Sequence, residues 1–277
     1  MAAGILLLLC ALLSAADPDD AAYQAHVEGL RARHQLAGFH LERCGAFVLI
    51  SDVGDAKLRA RQAETVSWFA TAMRRMYFEK DPQGLTDIWL FKDKVSYETN
   101  ATAFFGDKPT SPYGYFSRRD GLVMNISTGG GTLCHELVHA FMRANFPTCP
   151  DWLNEGLASL YEQCGQRGDD ALGLVNWRLT GLQEAIRAGT LPTFEKLCAA
   201  DFYGADSGRN YAQARYLCLH LQESGKLGQL VQEAMRDQQS DPTAWKTLQR
   251  VLGEADLAAF QKRWEAWVLG LKQPQRR

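Results

Sequence analysis

Apolar and polar positions repeat with two different periods along this chain, and the change of period divides it in two. Gly45 to Ser51 (Gly-Ala-Phe-Val-Leu-Ile-Ser) and Thr86 to Lys92 are short apolar runs of strand length. Between them, Asp55 to Phe78 places Ala63, Val66, Phe69, Ala70, Met73 and Tyr77 on one helical face. Tyr97 to Phe105 reads as a short helix, ended by Gly106 and Pro109. Tyr113 to Ser117 and Leu122 to Ile126 flank Arg118-Arg119-Asp120-Gly121, and Asp-Gly between two apolar runs signals a hairpin. Residues 19–43 carry a helical alternation ahead of all this. The first half therefore predicts β-α-β-α-β-β.

After Gly129-Gly130-Gly131 the period becomes helical throughout. A helix starts at Thr132, read as its N-cap. Trp152 to Gln163, Leu172 to Ala188, Arg209 to Glu223, Leu227 to Arg236, Pro242 to Leu252 and Ala255 to Leu271 follow. The expected class is α+β: a small mixed β-sheet with helices over residues 17–131, then a helical lobe over 132–277. The two lobes form one unit across 45–270, with the helix at residue 132 at their junction.

Composition narrows the function. The 277 residues are 46% hydrophobic, enough for a large core. A net charge of −2 leaves no basic footprint, so no nucleic-acid partner is expected. No internal run approaches the roughly 18–20 apolar residues of a spanning helix, so no stable membrane span is expected in the mature chain. Ile5 to Leu13 is apolar but too short to span, and fits a signal-peptide core. Small Ser14 and Ala16 place cleavage after Ala16 and predict export to a periplasmic or extracellular space. Leu9 is bulky and the apolar run continues past Cys10, which disfavours a lipid anchor there. Six cysteines then remain, and an oxidising compartment favours disulfides. The pairs that spacing suggests are Cys149 with Cys164, around a short helix, and Cys198 with Cys218, around a loop. No Cys-x-x-Cys occurs, which argues against a thiolate zinc cluster.

The chemistry begins at the junction. His135-Glu136-Leu137-Val138-His139 is an H-E-x-x-H pattern. On a helix, residues four apart stack on one face, so both imidazoles reach one metal ion. Glu136 is rotated about 100° from His135, out of that ligand shell and suited to act as general base on a water. A catalytic zinc takes three protein ligands and keeps one position open. The metzincin spacing is excluded, because Met142 and Asn145 stand where its Gly and His belong. A carboxylate from the next helix is the alternative. Glu155, in Asp151-Trp152-Leu153-Asn154-Glu155-Gly156-Leu157-Ala158, lies beyond a break at Pro147 to Pro150, and an antiparallel return would bring it back to the metal.

These two motifs together resemble the gluzincin, or peptidase MA-like, zinc metallopeptidases, and are most similar to an exported bacterial branch of them. The specific resemblance covers residues 135–158, with weaker similarity over 45–270. It implies a zincin-like fold and one zinc ion held by His135, His139 and Glu155, with Glu136 as general base. It further implies a cleft lined by the preceding strands, where an extended peptide could pair with an edge strand. Tyr211, in Tyr211-Ala212-Gln213, lies where gluzincins often present an oxyanion-stabilising Tyr; His220 and Tyr161 are lesser candidates. Many members place an Asp four residues after the Glu ligand to orient a His. Here that position is Ser159, which can accept a hydrogen bond but brings no charge. The expected activity is zinc-dependent hydrolysis of a peptide or protein substrate, by an endopeptidase since no Gly-x-Met-Glu-Asn signature appears. The rivals are an inactive zincin-fold binding module and a non-peptidase zinc hydrolase.

Overall fold

Every residue between Phe47 and Ser51 is buried, and that alone requires cover on both faces of the strand. The computed structural model supplies it; it describes residues 18–82, 84–106, 108–117, 119–199 and 201–273. The expected leader and its cleavage position lie outside the described residues. Contacts divide the chain after Ala37, and helix α1 (Pro18–Arg33) is the one described element before that point. From Gly38 onward a single unit carries everything else.

That unit opens with strands β1 (His40–Cys44) and β2 (Phe47–Ser51), then α2 (Ala56–Met76), β3 (Thr86–Phe91), α3 (Lys94–Phe105), β4 (Gly114–Ser117) and β5 (Gly121–Asn125). The sheet order is β1-β2-β3-β5-β4. β2, β3 and β5 run parallel, while β1 and β4 pair antiparallel at the two edges. The three central strands alternate their cover with a period of two. Phe47, Leu49, Ile88, Leu90, Leu122 and Met124 join the main core under α2. The intervening Trp89 and Phe91 turn the other way, onto Phe105 and Tyr97 of α3 at centroid distances of 5.2 and 6.3 Å. The class is thus α+β with a small mixed sheet, as expected.

A 3-10 turn (Ile126–Thr128) leads into α4 (Gly131–Asn145), followed by α5 (Asp151–Leu160). Then come β6 (Cys164–Arg167), β7 (Asp170–Gly173), α6 (Arg178–Arg187), α7 (Phe194–Ala199), α8 (Ser207–Glu223), α9 (Leu227–Asp237), α10 (Trp245–Leu252) and α11 (Leu257–Gly270). Among the described residues no helix is long and apolar enough to cross a membrane.

Four expectations need correction. Residues 40–44 form a strand, so His40 belongs to a sheet edge and not to a helical region. Its helical pattern was the polar spacing of a strand whose partner β2 provides the burial. The second half contains the β6–β7 hairpin, which takes the start of the expected helix 172–188; α6 begins only at Arg178. Thr132 lies inside α4, whose N-cap is Gly130 with no side-chain hydrogen bond. All six cysteines in the described residues are free thiols. Cys164 opens β6 beside the first turns of α4 and hydrogen-bonds Cys134, not Cys149.

Candidate metal centre

α4 is buried on almost every side by Leu133, Cys134, Leu137, Val138, Ala140, Phe141 and Met142. One stripe, His135 and His139, is left facing a cleft. Asn145 fixes the far end of the helix, donating to the carbonyls of Phe141 and Lys80 at 2.9 and 2.8 Å and accepting from the Lys80 amide at 2.9 Å. Pro147 and Pro150 end the helical path, and α5 returns alongside.

α5 is held by an unusually close contact with α8. A Cβ on Gly156 would lie 3.1 Å from the Ala214 carbonyl oxygen and 3.0 Å from Cys218 Sγ, so the glycine in the Glu155-Gly156 pair lets the two backbones meet. Arg215 of α8, fully buried, donates to the carbonyls of Ser159 (2.9 Å), Leu160 (3.2 Å) and Leu174, closing the C-terminal end of α5. These contacts set the depth at which Glu155 enters the cleft.

His135, His139 and Glu155 come together there. The two Nε2 atoms are 3.1 Å apart, and Glu155 Oε2 lies 3.5 Å from His135 Nε2 and 3.6 Å from His139 Nε2. A tetrahedral ion with bonds of about 2.0–2.1 Å holds its ligand atoms about 3.3–3.4 Å apart, so the triangle has the size of one face of such a shell. Glu155 Oε2 is buried and has no hydrogen-bond partner among the described residues. A buried carboxylate oxygen facing two imidazole nitrogens calls for positive charge beside it, which a metal ion or a proton on an imidazole supplies. The donor set fits a divalent transition metal of the zinc kind.

The cleft has a volume of about 1020 Å³ and is lined by the triad, Glu136, Tyr211 and the Gly114–Phe116 stretch of β4. Glu136 is buried and lies outside the three converging ligands. Tyr211 stands beside Glu155, with its ring against Phe202 and under the Arg178 guanidinium. Burial, reinforced by the Glu155 carboxylate, pushes the Tyr211 hydroxyl above its ordinary range and keeps it a donor. Tyr161 and His220 do not join the site. Tyr161 is fully buried and hydrogen-bonds Tyr77 at 2.8 Å, and His220 packs on Phe260 and Trp267.

Each outer partner of the triad was missed by sequence reasoning. Tyr203, on the loop before α8, donates to Glu155 Oε1 at 2.8 Å, and Oε2 is the oxygen that faces the two imidazoles. Asn154 Oδ1 faces His139 Nδ1 at 3.0 Å. Glu162 lies 3.7 Å from His135 Nδ1. The expected imidazole acceptor, Ser159, is fully buried with no partner on its Oγ among the described residues. Asn154 stood inside the recognised motif; nothing local in the sequence marked Tyr203 or Glu162.

No protein-family model matches the chain, and no curated protein matches it.

Without metal the triad holds a proton. Burial alone would lower the His139 pKa, but the Glu155 carboxylate outweighs it and holds the imidazole up at about 9. Burial would likewise raise Glu155, and the two imidazoles reverse this and keep it below the usual carboxylate range. The raised His139 pKa gives the metal-free fold stability that is complete below about 6.5 and lost as pH rises through about 9. The depressed Glu155 contributes above about 4.5, and that contribution is lost only as pH falls well into the acid range. A metal must displace the His139 proton. The affinity for zinc, measured against a competing chelator, is therefore expected to rise about tenfold per pH unit from 7 to 9 beyond the chelator's own dependence. Over the same window the melting temperature of the metal-free chain should fall. A flat affinity profile would mean that His139 is already neutral.

Proposed function

We propose that the chain is a zinc-dependent metallopeptidase of gluzincin type. The observation that carries this reading is the convergence of two imidazoles and one carboxylate at metal-ligand spacing, with the buried Glu136 carboxylate in the same cleft. The match of residues 135–158 to the gluzincin pattern supports it further.

When bound, zinc supplies Lewis acidity toward a carbonyl oxygen and lowers the pKa of a coordinated water. The rest is the work of the chain. Glu136 takes the proton of the attacking water and later delivers it to the departing amine. The Tyr211 hydroxyl donates to the carbonyl oxygen as negative charge builds there. Among the described residues β4 pairs only with β5, so its other edge offers backbone groups to an extended peptide lying in the cleft. Tyr203 holds Glu155 by the oxygen that faces away from the histidines.

The test compares the metal content of the wild type with that of Glu155→Ala, and screens both against extended peptides. One tightly held zinc, lost in the variant, with cleavage blocked by a hydroxamate peptide, is the expected result. A folded wild type that holds no zinc sinks the enzyme reading. Zinc without cleavage of any peptide leaves a binding module or a hydrolase acting on another bond.

A further inference from the structure

A metal ion on Nε2 obliges the other ring nitrogen of each histidine to carry its proton and to donate it. His139 Nδ1 meets this demand with Asn154 Oδ1 at 3.0 Å. Glu155 has its counterpart in Tyr203. Only His135 lacks a partner: its Nδ1 is buried and makes no hydrogen bond among the described residues. A buried N–H left in that state keeps its desolvation cost with no bond to offset it. The facing acceptor is Glu162 Oε1, 3.7 Å away, with both side chains largely buried.

Glu162 is held in place as an orienting group must be. Arg178 grips it with two bonds, Nη2 to Oε1 at 2.7 Å and Nε to Oε2 at 2.8 Å. Asn176 donates to Oε2 at 3.1 Å. The carboxylate therefore cannot turn away, and Oε1 keeps a free lone pair toward the imidazole. From 3.7 Å, the proposed bond requires the two groups to approach by about 0.7 Å. Ser159, at the position where many gluzincins carry an Asp, makes no contact of this kind.

We infer that Glu162 is the positioning residue of the metal centre: it accepts the Nδ1–H of His135, fixes the tautomer that presents Nε2, and supplies the negative charge that Ser159 lacks. This rests on the metal reading of the site and not on peptide hydrolysis. The carboxylate comes from just past the end of α5, one helical turn beyond the position where the family pattern puts it.

The test is zinc affinity by chelator competition on the full chain, with ¹H–¹⁵N spectra of the histidine ring protons. Glu162→Gln keeps the size and removes the charge. Its zinc affinity should fall about 10–100-fold. The strongly deshielded His135 ring N–H of the loaded wild type should move upfield. Because Glu162→Gln also frees Arg178, Arg178→Gln serves as the control. It breaks the same ion pair and loosens the carboxylate but keeps its negative charge beside His135, so its affinity should fall clearly less than that of Glu162→Gln. Ser159→Ala should leave affinity unchanged. The inference is overturned if Glu162→Gln binds zinc as wild type does, or if both ion-pair variants weaken binding equally in step with their melting temperatures. A folded wild type that takes up no zinc would overturn the metal reading itself, and this inference with it.

Discussion

Glu136→Gln should leave a folded, zinc-loaded protein whose turnover of a peptide substrate is lower by about 10⁴-fold. The factor lies at the upper end of what a positioned general base contributes and corresponds to about 5.5 kcal/mol of transition-state stabilisation. The selectivity of the effect follows from where Glu136 sits. The three converging ligand atoms belong to His135, His139 and Glu155, so removing the Glu136 charge takes nothing from the metal. Glutamine matches the shape of the buried side chain on α4, so the helix keeps its packing. What is lost is the only function amide cannot perform, accepting a proton. Zinc content by mass spectrometry, the melting temperature and kcat on one peptide decide the matter together. Loss of zinc along with activity would make Glu136 part of the metal shell. Turnover within tenfold of wild type would move the base elsewhere in the cleft.

How much of this site the sequence disclosed depends on distance along the chain. His135, Glu136 and His139 lie within one helix, so spacing alone determined their arrangement. Glu155 required a turn and an antiparallel return, and the prolines before it marked only the break between the two helices. The outer partners arise differently. Tyr203 is brought to Glu155, and Arg178 to Glu162, by the packing of α8 against α5 and of α6 against α8. No local period records such a meeting. The fold divides in the same way. β2, β3 and β5 are apolar on both faces and were legible as strands. β1 reads His-Leu-Glu-Arg-Cys and is half exposed at an edge, so its charges imitated a helix. The β6–β7 hairpin is four residues a side and turns at Gly168, with φ +61°, too short to override the helical pattern around it.

Gly131→Ala should destabilise the chain by about 3 kcal/mol or more and weaken its hold on zinc, although Gly131 touches no ligand. The three consecutive glycines at the start of α4 are not equivalent. Gly130 has φ −73° and open space around its Cβ position, so alanine fits there. Gly129 has φ +105°, a conformation that L side chains rarely adopt. Gly131 opens α4 against the segment that follows α5: its Cβ would lie 2.0 Å from the Glu162 carbonyl oxygen and 3.0 Å from the carbonyl carbon. Both partners are backbone, so no rotamer change relieves the clash and the two segments must separate by more than 1 Å. One segment carries His135 and the other follows directly from Glu155, so the separation opens the ligand triangle. Denaturation of the metal-free chain should show a melting temperature lower by about 6–12 °C for Gly131→Ala. Gly130→Ala should stay level or gain up to about 1 kcal/mol from its more restricted unfolded chain. Zinc affinity should fall for the first and hold for the second. If the two alanine variants behaved alike, the close approach of α4 to Glu162 would not be what sets the geometry of the site.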